Sequence, residues 1–286
     1  MPIKKHLVKH HQNNKHIKIE IMDLKLKGKR ALVTGSSSGL GEAVAKFLAA
    51  EGAHVIVHGR SEKRAGKVKD EIVAFGGMAE IAIGDLATDE GADAIAQQAL
   101  ANGRIDILVN NAGETSHKTW GEATAEDWGT IYNNNVVSYV RMVQRIVPQM
   151  KKMGWGRIVH VGGGLAVQPI KEQPHYNATL AARHNMSVSL ARSLKDSGIT
   201  SNVVSPGAIM NPMVEDWLVN AAPKFNWGTD LEEIKYKAVQ ELIPNDTGRF
   251  GDPQEIAAAV AYLCSTYADY ISGAVLRVDG GTIKCL

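Results

Sequence analysis

The sequence predicts an α/β protein built on a doubly wound, parallel, seven-stranded sheet with helices on both faces. Seven short, nearly unbroken apolar segments alternate with helical segments from Lys29 to Val278. Unbroken apolar strands are typical of a parallel sheet that helices cover on both sides, and right-handed crossovers then give the doubly wound arrangement. The first turn of this alternation is also rich in glycine, as expected where such a sheet binds a ligand.

The stretch Ala31–Gly41 begins the alternation with a strand, a polar turn and a helix. A strand that turns through glycines into a helix gathers backbone N–H groups and the positive end of the helix dipole, and this attracts phosphate. The spacing here is Gly35-x-x-x-Gly39-x-Gly41. Alone it is a weak signal, but at the start of a long strand–helix alternation it indicates a nucleotide site.

The remaining elements follow in order, each strand as a short apolar run and each helix by its helical spacing of apolar residues. The strands are predicted at Arg30–Thr34, Ala53–His58, Ala79–Ile83, Ile107–Asn110, Gly156–Val161, Asn202–Ser205 and Ala274–Val278. The helices are predicted at Gly39–Glu51, Ser61–Phe75, Asp89–Asn102, Ala125–Met153, Pro174–Ser197 and Pro253–Thr266, with an irregular, partly helical stretch that ends near Phe250.

The charge is unevenly distributed along the chain. Residues 1–21 carry five lysines against Glu20, a net +4, which leaves −2 for the remainder of a chain of formal charge +2. We interpret residues 1–21, which also hold four histidines, as a disordered basic extension; a nucleic-acid arm or a metal site is the alternative. Without a Pro/Gly/Ser-rich linker or an internal repeat, residues 22–286 are predicted to be one domain, with a lid-like insertion at about 208–250.

Composition excludes several classes of protein. The two cysteines, Cys264 and Cys285, cannot form a disulfide framework and do not have metal-ligand spacing, so we expect no metal and a reducing, cytoplasmic setting. The chain has no run of about 18 apolar residues, so no transmembrane helix is expected. Neither a membrane nor a nucleic acid is predicted as a partner.

Four motifs in order resemble the classical short-chain dehydrogenase/reductase family, and most of all its 3-oxoacyl-acyl-carrier-protein-reductase-like group. They are Thr34-Gly35-x-x-x-Gly39-x-Gly41, Asn110-Asn111-Ala112-Gly113, Tyr176 on a helix after strand five, and Pro206-Gly207 after strand six. The resemblance runs from about Lys25 to the C-terminus. It implies a Rossmann-type fold and the interconversion of a carbonyl and a hydroxyl with a nicotinamide nucleotide.

The end of strand two selects between the two nicotinamide nucleotides. An acid there would bind the ribose 2′-hydroxyl, but the sequence has Arg60, which can pair with a 2′-phosphate. NADP(H) is therefore favoured over NAD(H); the alternative is that Arg60 is a solvated helix-capping residue. The resemblance assigns nucleotide binding to Gly35, Ser37, Ser38, Gly39, Leu40, Gly41, Arg60, Ser61, Asp85, Leu86, Asn111, Ala112, Gly113, Tyr176, Pro206, Gly207 and Ile209.

The catalytic half of the resemblance is incomplete. The family reduces carbonyls with a Tyr that gives the proton, a Lys four residues later, a Ser that holds the carbonyl and an Asn that supports a water relay. Tyr176 and Asn135 match the Tyr and the Asn, whereas the Lys and Ser positions hold Leu180 and Gly163.

The missing ammonium matters because, about 4 Å from a phenolate, it contributes roughly 4 kcal/mol at an effective dielectric of about 20, or about 3 pKa units. Tyr176 should then titrate near an ordinary phenol, and oxidation should suffer more than reduction. Arg183 and His184 follow on the same helix and are the candidates to replace the missing lysine; the alternative, which we favour, is that both are surface or subunit-interface residues. We therefore predict weakened activity.

The stretch Pro212–Asn245 is longer than an ordinary connection and is rich in apolar side chains. We interpret it as a lid over a small or moderately apolar substrate, or else as a subunit-packing insertion. In proteins of the family it resembles, the two longest predicted helices pack against another subunit, so the resemblance implies a homodimer or homotetramer. Alternatives to the reductase are a catalytically impaired nucleotide-binding protein (a sensor or oligomer partner), an engineered active-site variant, or a non-redox enzyme on the same scaffold.

Overall fold

A computed structural model of the chain describes residues 23–284. The predicted basic extension, residues 1–21, lies outside them. All seven strands pair in parallel in the order β3-β2-β1-β4-β5-β6-β7, which confirms the predicted fold class. The strands are β1 (Arg30–Val33), β2 (His54–Gly59), β3 (Met78–Ile83), β4 (Ile107–Asn110), β5 (Gly156–Val161), β6 (Ile199–Pro206) and β7 (Val275–Val278).

Helices lie on both faces of the sheet, and no helix within residues 23–284 is long and apolar enough to span a bilayer. The α-helices are α1 (Gly39–Ala50), α2 (Glu62–Ala74), α3 (Asp89–Leu100), α4 (Ala125–Tyr132), α5 (Ser138–Met153), α6 (Pro174–Ser193), α7 (Pro212–Phe225), α8 (Leu231–Glu241) and α9 (Pro253–Cys264). A π-helical turn, Asn133–Val137, joins α4 to α5.

The central strands divide the core into two layers. In β1, Ala31 and Val33 belong to the apolar cluster that includes α1 and α9, whereas Leu32 belongs to the cluster that includes α3 and α5. This alternation follows from the two-residue period of a strand. Complete burial of one Val, Leu or Ile side chain contributes about 1.5–3 kcal/mol, so these layers hold the sheet rigidly.

The direction of winding reverses between β1 and β4. The chain runs from β1 outward to β3, returns to place β4 beside β1, and then continues outward to β7. Both neighbours are in register with β1, since Leu32 pairs with Ile56 on one side and with Leu108 on the other. A crevice outside the carboxyl ends of the strands opens at such a reversal, and ligands bind there.

The structure differs most from the sequence prediction in two segments. The helix predicted over Ala125–Met153 contains the π-helical turn, in which Asn133 and Asn135 donate to main-chain carbonyls outside the helix. The stretch predicted to be irregular forms α7 and α8, capped by Asn211 and Asp230. These two helices enclose a separate apolar cluster around the fully buried Trp227.

Candidate active site

Hydrogen bonds from Thr34 tie together the turns that follow β1 and β4. The Thr34 hydroxyl accepts the N–H groups of Asn111 at 2.9 Å and Ala112 at 3.0 Å. In return, the Asn111 side chain donates to the Thr34 carbonyl at 2.9 Å. Two of the turns predicted to bind nucleotide therefore form one rigid unit at the carboxyl edge of the sheet.

The three glycines of the first turn have different roles. Gly35 has φ +67°, and a Cβ there would lie 2.8 Å from the Cα of Ala112. A Cβ on Gly41 would overlap the Asn111 side chain and the Gly35 carbonyl, whereas Gly39, with φ +60°, faces open space. Gly35 and Gly41 thus permit close packing, and Gly39 leaves the crevice open.

The N-terminus of α1 lies at this crevice. Ser38 is its N-cap residue, but the Ser38 side chain makes no capping hydrogen bond. The first N–H groups of a helix lack partners inside the helix, so this end of α1 can accept an anion. Leu40, in the same turn, is half-buried against the core.

A buried histidine supports the first turn, and sequence reasoning missed its role. Burial lowers the pKa of His58 to about 4, so the ring is neutral at pH 7. Its Nδ1 accepts the Gly35 N–H at 2.8 Å, and its Nε2 lies 3.3 Å from the Gly84 carbonyl, which requires the proton on Nε2. His58 thus joins the ends of three strands; the signal was a histidine within an otherwise apolar strand.

The end of β2 presents an exposed arginine. Arg60 is exposed, and the helix-capping function belongs instead to Ser61, whose hydroxyl accepts the Arg64 N–H at 3.4 Å. Ser37 lies directly over Gly59, where a Cβ would be 2.5 Å from the Ser37 hydroxyl. The first turn and the end of β2 are therefore adjacent, with the Arg60 guanidinium free to reach a ligand at their rim.

The remaining predicted nucleotide residues follow β3 and β6. Asp85 is exposed and accepts the Ala87 N–H at 3.0 Å, while Leu86 is buried. Pro206, the last residue of β6, is in register with Val278, and a Cβ on Gly207 would lie 2.8 Å from the Cα of Asp279. Ile209 forms an isolated parallel bridge with Gly251.

Tyr176 and Asn135 are connected through the first turns of α6. Tyr176 is half-buried in the first turn. The buried Asn135 side chain donates to the Thr179 hydroxyl at 3.1 Å, and that hydroxyl donates to the Tyr176 carbonyl at 2.8 Å. Asn135 also accepts the N–H of Glu114 at 2.9 Å. The π-helical turn thus fixes the loop after β4 and α6 relative to one another.

Leu180 fills the space beside Gly163. Leu180 is 1% exposed, and a Cβ built on Gly163 would lie 3.0 Å from its Cδ1. The three heavy atoms nearest to that Cβ, apart from the chain neighbours of Gly163, all belong to Leu180. The two residues are therefore sterically complementary.

The interpretation of Arg183 as a surface or interface residue is wrong. Its side chain is 4% exposed and lies beneath the site, where Nε donates to the Asn135 carbonyl at 2.7 Å. There is room for it because Gly113 has no side chain: a Cβ there would lie 2.5 Å from Nη2. His184 is half-buried, and its buried Nε2 packs against Gly162.

Burial and a nearby positive charge shift the pKa of the Tyr176 hydroxyl in opposite directions. Burial raises the pKa of Tyr176, and the positive charge of Arg183 lowers it by less, so the net shift is upward. At pH 7 the phenol is protonated and can donate a proton. The arrangement can therefore protonate an oxygen that is placed against Tyr176 at the carboxyl edge of the sheet.

Comparison with known proteins places this chain in a family. The short chain dehydrogenase profile matches residues 29–221. An uncharacterized oxidoreductase of Bacillus subtilis is 35% identical over 266 residues, covering 92% of this chain and 99% of that protein. A 3-oxoacyl-acyl-carrier-protein reductase of Aquifex aeolicus is 36% identical over 263 residues, covering 91% and 99%.

Solved structures of two reductases are also similar to this chain. L-sorbose reductase from Gluconobacter frateurii, complexed with NADPH and L-sorbose, superimposes with a TM-score of 0.87 at 36% identity, covering 93% of this chain and all of that one. A 3-oxoacyl-acyl-carrier-protein reductase from Agrobacterium tumefaciens with NADP bound gives 0.82 at 32% identity, covering 91% and 96%.

The fold and these relatives define a Rossmann-type oxidoreductase. More particularly, the chain belongs to the short-chain dehydrogenase family, and it is an enzyme of that family.

Proposed function

We propose that the protein is an NADP(H)-dependent reductase that converts a carbonyl into a hydroxyl on a small or moderately apolar substrate, with weakened activity. The observation that carries this proposal is the placement of Tyr176. Its helix is tied through Thr179 and Asn135 to the loop after β4, beside the glycine-lined crevice. Two similar reductases of known structure hold NADPH or NADP, which supports the choice of cofactor.

The crevice residues fit a phosphorylated nucleotide. Gly39 leaves open space in front of the α1 N-terminus, where N–H groups without a side-chain cap would bind the pyrophosphate. The exposed Arg60 would pair with a 2′-phosphate at the rim of the crevice. Asn111, Ala112 and the adjacent Gly113 would lie against the ribose. When bound, the nucleotide supplies the hydride.

In this proposal, Tyr176 gives its phenolic proton to the substrate oxygen. The net upward shift in its pKa keeps the phenol protonated at neutral pH. The same shift makes the phenolate scarce, and alcohol oxidation needs the phenolate as a base, so reduction is the favoured direction. Asn135 orients the loop and α6 around the reacting atoms.

Weakened activity follows from Gly163 and Leu180. We propose that these positions correspond to the Ser and Lys of the family's catalytic group. A hydroxyl at 163 would anchor the substrate carbonyl, contributing about 1.5 kcal/mol as an ordinary hydrogen bond and about 3 kcal/mol if it stabilised a developing oxyanion. Losing the stronger form alone lowers the rate by about a hundredfold.

The substrate side is formed by α7 and α8, which follow β6 at the carboxyl edge. Met213 and Trp217 are exposed on α7, and the helix pair has its own apolar core. We propose that this segment, within the insertion at 208–250, covers an apolar carbonyl compound. We further propose that the enzyme is a homodimer or homotetramer.

The test is NADPH oxidation, followed at 340 nm across a panel of apolar aldehydes and ketones. The native chain should turn over at least one of them, and Tyr176→Phe should abolish that turnover while NADPH binding persists. Turnover that is unchanged in Tyr176→Phe would contradict the assigned proton donor. If only Gly163→Ser/Leu180→Lys turns over, the native chain is a nucleotide-binding protein without catalysis.

A further inference from the structure

A guanidinium group lies beneath the candidate site, held by main-chain carbonyls from three different elements. Arg183 donates from Nε to Asn135 at 2.7 Å, from Nη1 to Val161 at 3.1 Å and from Nη2 to Ala112 at 3.4 Å. These carbonyls belong to the π-helical turn, the end of β5 and the turn after β4. Each nitrogen of the guanidinium is therefore used at a point where the site is assembled.

The charge of this group is not neutralised. No carboxylate within residues 23–284 forms an ion pair with Arg183. Carbonyl groups satisfy its N–H donors but carry no net charge, and a guanidinium stays protonated in proteins. A buried, unpaired charge is costly. Retaining it here, at 4% exposure, calls for a function that a neutral side chain would not perform.

Arg183 and Tyr176 lie on the same face of α6. Seven residues, or two turns, separate Arg183 from Tyr176 along α6, about 10 Å along the axis. Side chains lean toward the N-terminus of their helix, so the long Arg183 side chain extends back toward Tyr176. It ends at Asn135, whose own side chain is bound to the Thr179 hydroxyl.

We propose that Arg183 is a positioning residue that supplies the positive charge of the reaction site, stabilising the Tyr176 phenolate and holding the Asn135 carbonyl, since position 180 is a leucine. The consequence for turnover rests on the proposed reductase function, but the electrostatic effect on Tyr176 does not. Arg183 thereby offsets part of the cost that burial imposes on the phenolate.

The other titratable groups around Tyr176 do not supply this charge. From α5, Tyr139 packs under the guanidinium at 4.3 Å, and burial raises its pKa to about 12, so it is neutral. From β5, burial lowers the pKa of His160 to about 3. On α6, burial also lowers the pKa of His184, so this ring is neutral at pH 7 as well.

The nearby acidic groups are engaged elsewhere. The Glu114 carboxylate, in the loop after β4, accepts from the Asn134 side chain at 2.9 Å. Asp127, on α4, is paired with Lys118 at 2.7 Å. His175 lies against Trp128, with ring centroids 6.0 Å apart. Among the described groups surrounding Tyr176, Arg183 is thus the cation that can favour its ionisation.

The experiment titrates Tyr176 in the nucleotide-free protein. Tyrosines labelled with ¹³C at Cζ are followed by NMR from pH 7 to 12, and Tyr176→Phe assigns the signal. Arg183→Met should raise the pKa of Tyr176 by about one unit or more, the effect expected of a lost opposite charge. Arg183→Lys, which keeps the charge, should restore most of the difference. Arg192→Met, an exposed arginine of the same helix, is the control and should change nothing.

If Arg183→Met fails to fold, Arg183→Gln replaces it, since it is neutral but still donates to a carbonyl. An unchanged pKa of Tyr176 in a folded neutral variant would overturn the proposal. Because this readout needs neither nucleotide nor substrate, it separates failure of this proposal from failure of the proposed function. In an active enzyme, each unit of upward pKa shift should lower alcohol oxidation about tenfold below the pKa.

Discussion

The complementarity of Gly163 and Leu180 gives a quantitative prediction. A Cβ at residue 163 would lie 3.0 Å from Leu180 Cδ1, closer than ordinary contact, and Leu180 is buried and cannot move freely. The backbone at Gly163 is extended, with φ 174°, so alanine is conformationally acceptable there. Gly163→Ala should therefore destabilise the protein only through this contact, by about 1–3 kcal/mol.

A double-mutant cycle isolates the contact. In a Leu180→Ala background the space is open, so Gly163→Ala should instead stabilise by about 0.4–1 kcal/mol through reduced freedom of the unfolded chain. The coupling energy, which is the difference between these two effects, should thus be about 1.4–4 kcal/mol, measured by urea unfolding of all four proteins. Gly66→Ala on α2, where a Cβ meets nothing within 4 Å, is the control and should be neutral or stabilising. Equal effects of Gly163→Ala in both backgrounds would refute the packing argument.

Three further predictions concern stability and the cofactor. Because burial lowers the pKa of His58 to about 4, the contribution of His58 to stability is complete above pH 6.5 and is lost as the pH falls toward 4. In His58→Gln, the free energy of unfolding should therefore depend less on pH over that range, by up to about 1.4 kcal/mol per pH unit. Urea unfolding at several pH values measures this difference. Trp227→Phe removes the 2.9 Å hydrogen bond that the indole N–H donates to a side chain of α8, so it should speed hydrogen exchange in α8. Trp217→Phe, at a half-exposed position, should leave that exchange unchanged. Arg60→Ala should weaken NADPH binding at least tenfold and leave NADH binding unchanged, by calorimetry, while Arg64→Ala should affect neither.

The sheet could be predicted from the sequence because its strands are buried on both faces. Such strands are mostly apolar, and β4 and β5 are predicted with the bounds that the structure has. Strand ends that depend on hydrogen bonds to a neighbouring strand are predicted less accurately. β6 begins at Ile199, three residues earlier than predicted, where polar residues join the sheet and pair with Gly156 and its neighbours.

The part of the site that escaped prediction consists of polar side chains in buried places. Arg183 is accommodated by Gly113, seventy residues away in the sequence, so the residues around Arg183 in the chain do not reveal that it is buried. His58 owes its neutral state to burial, and the strand ends that bury it and bond its ring, at Gly35 and Gly84, come together only in the assembled sheet. The π-helical turn likewise depends on hydrogen bonds from outside its own helix.

Calorimetric titration of the purified protein with NADPH, repeated with Tyr176→Phe, tests the central claim most directly. One NADPH should bind per chain in both proteins, and the native protein alone should then reduce a carbonyl substrate. A chain that binds neither NADPH nor NADH would contradict the account.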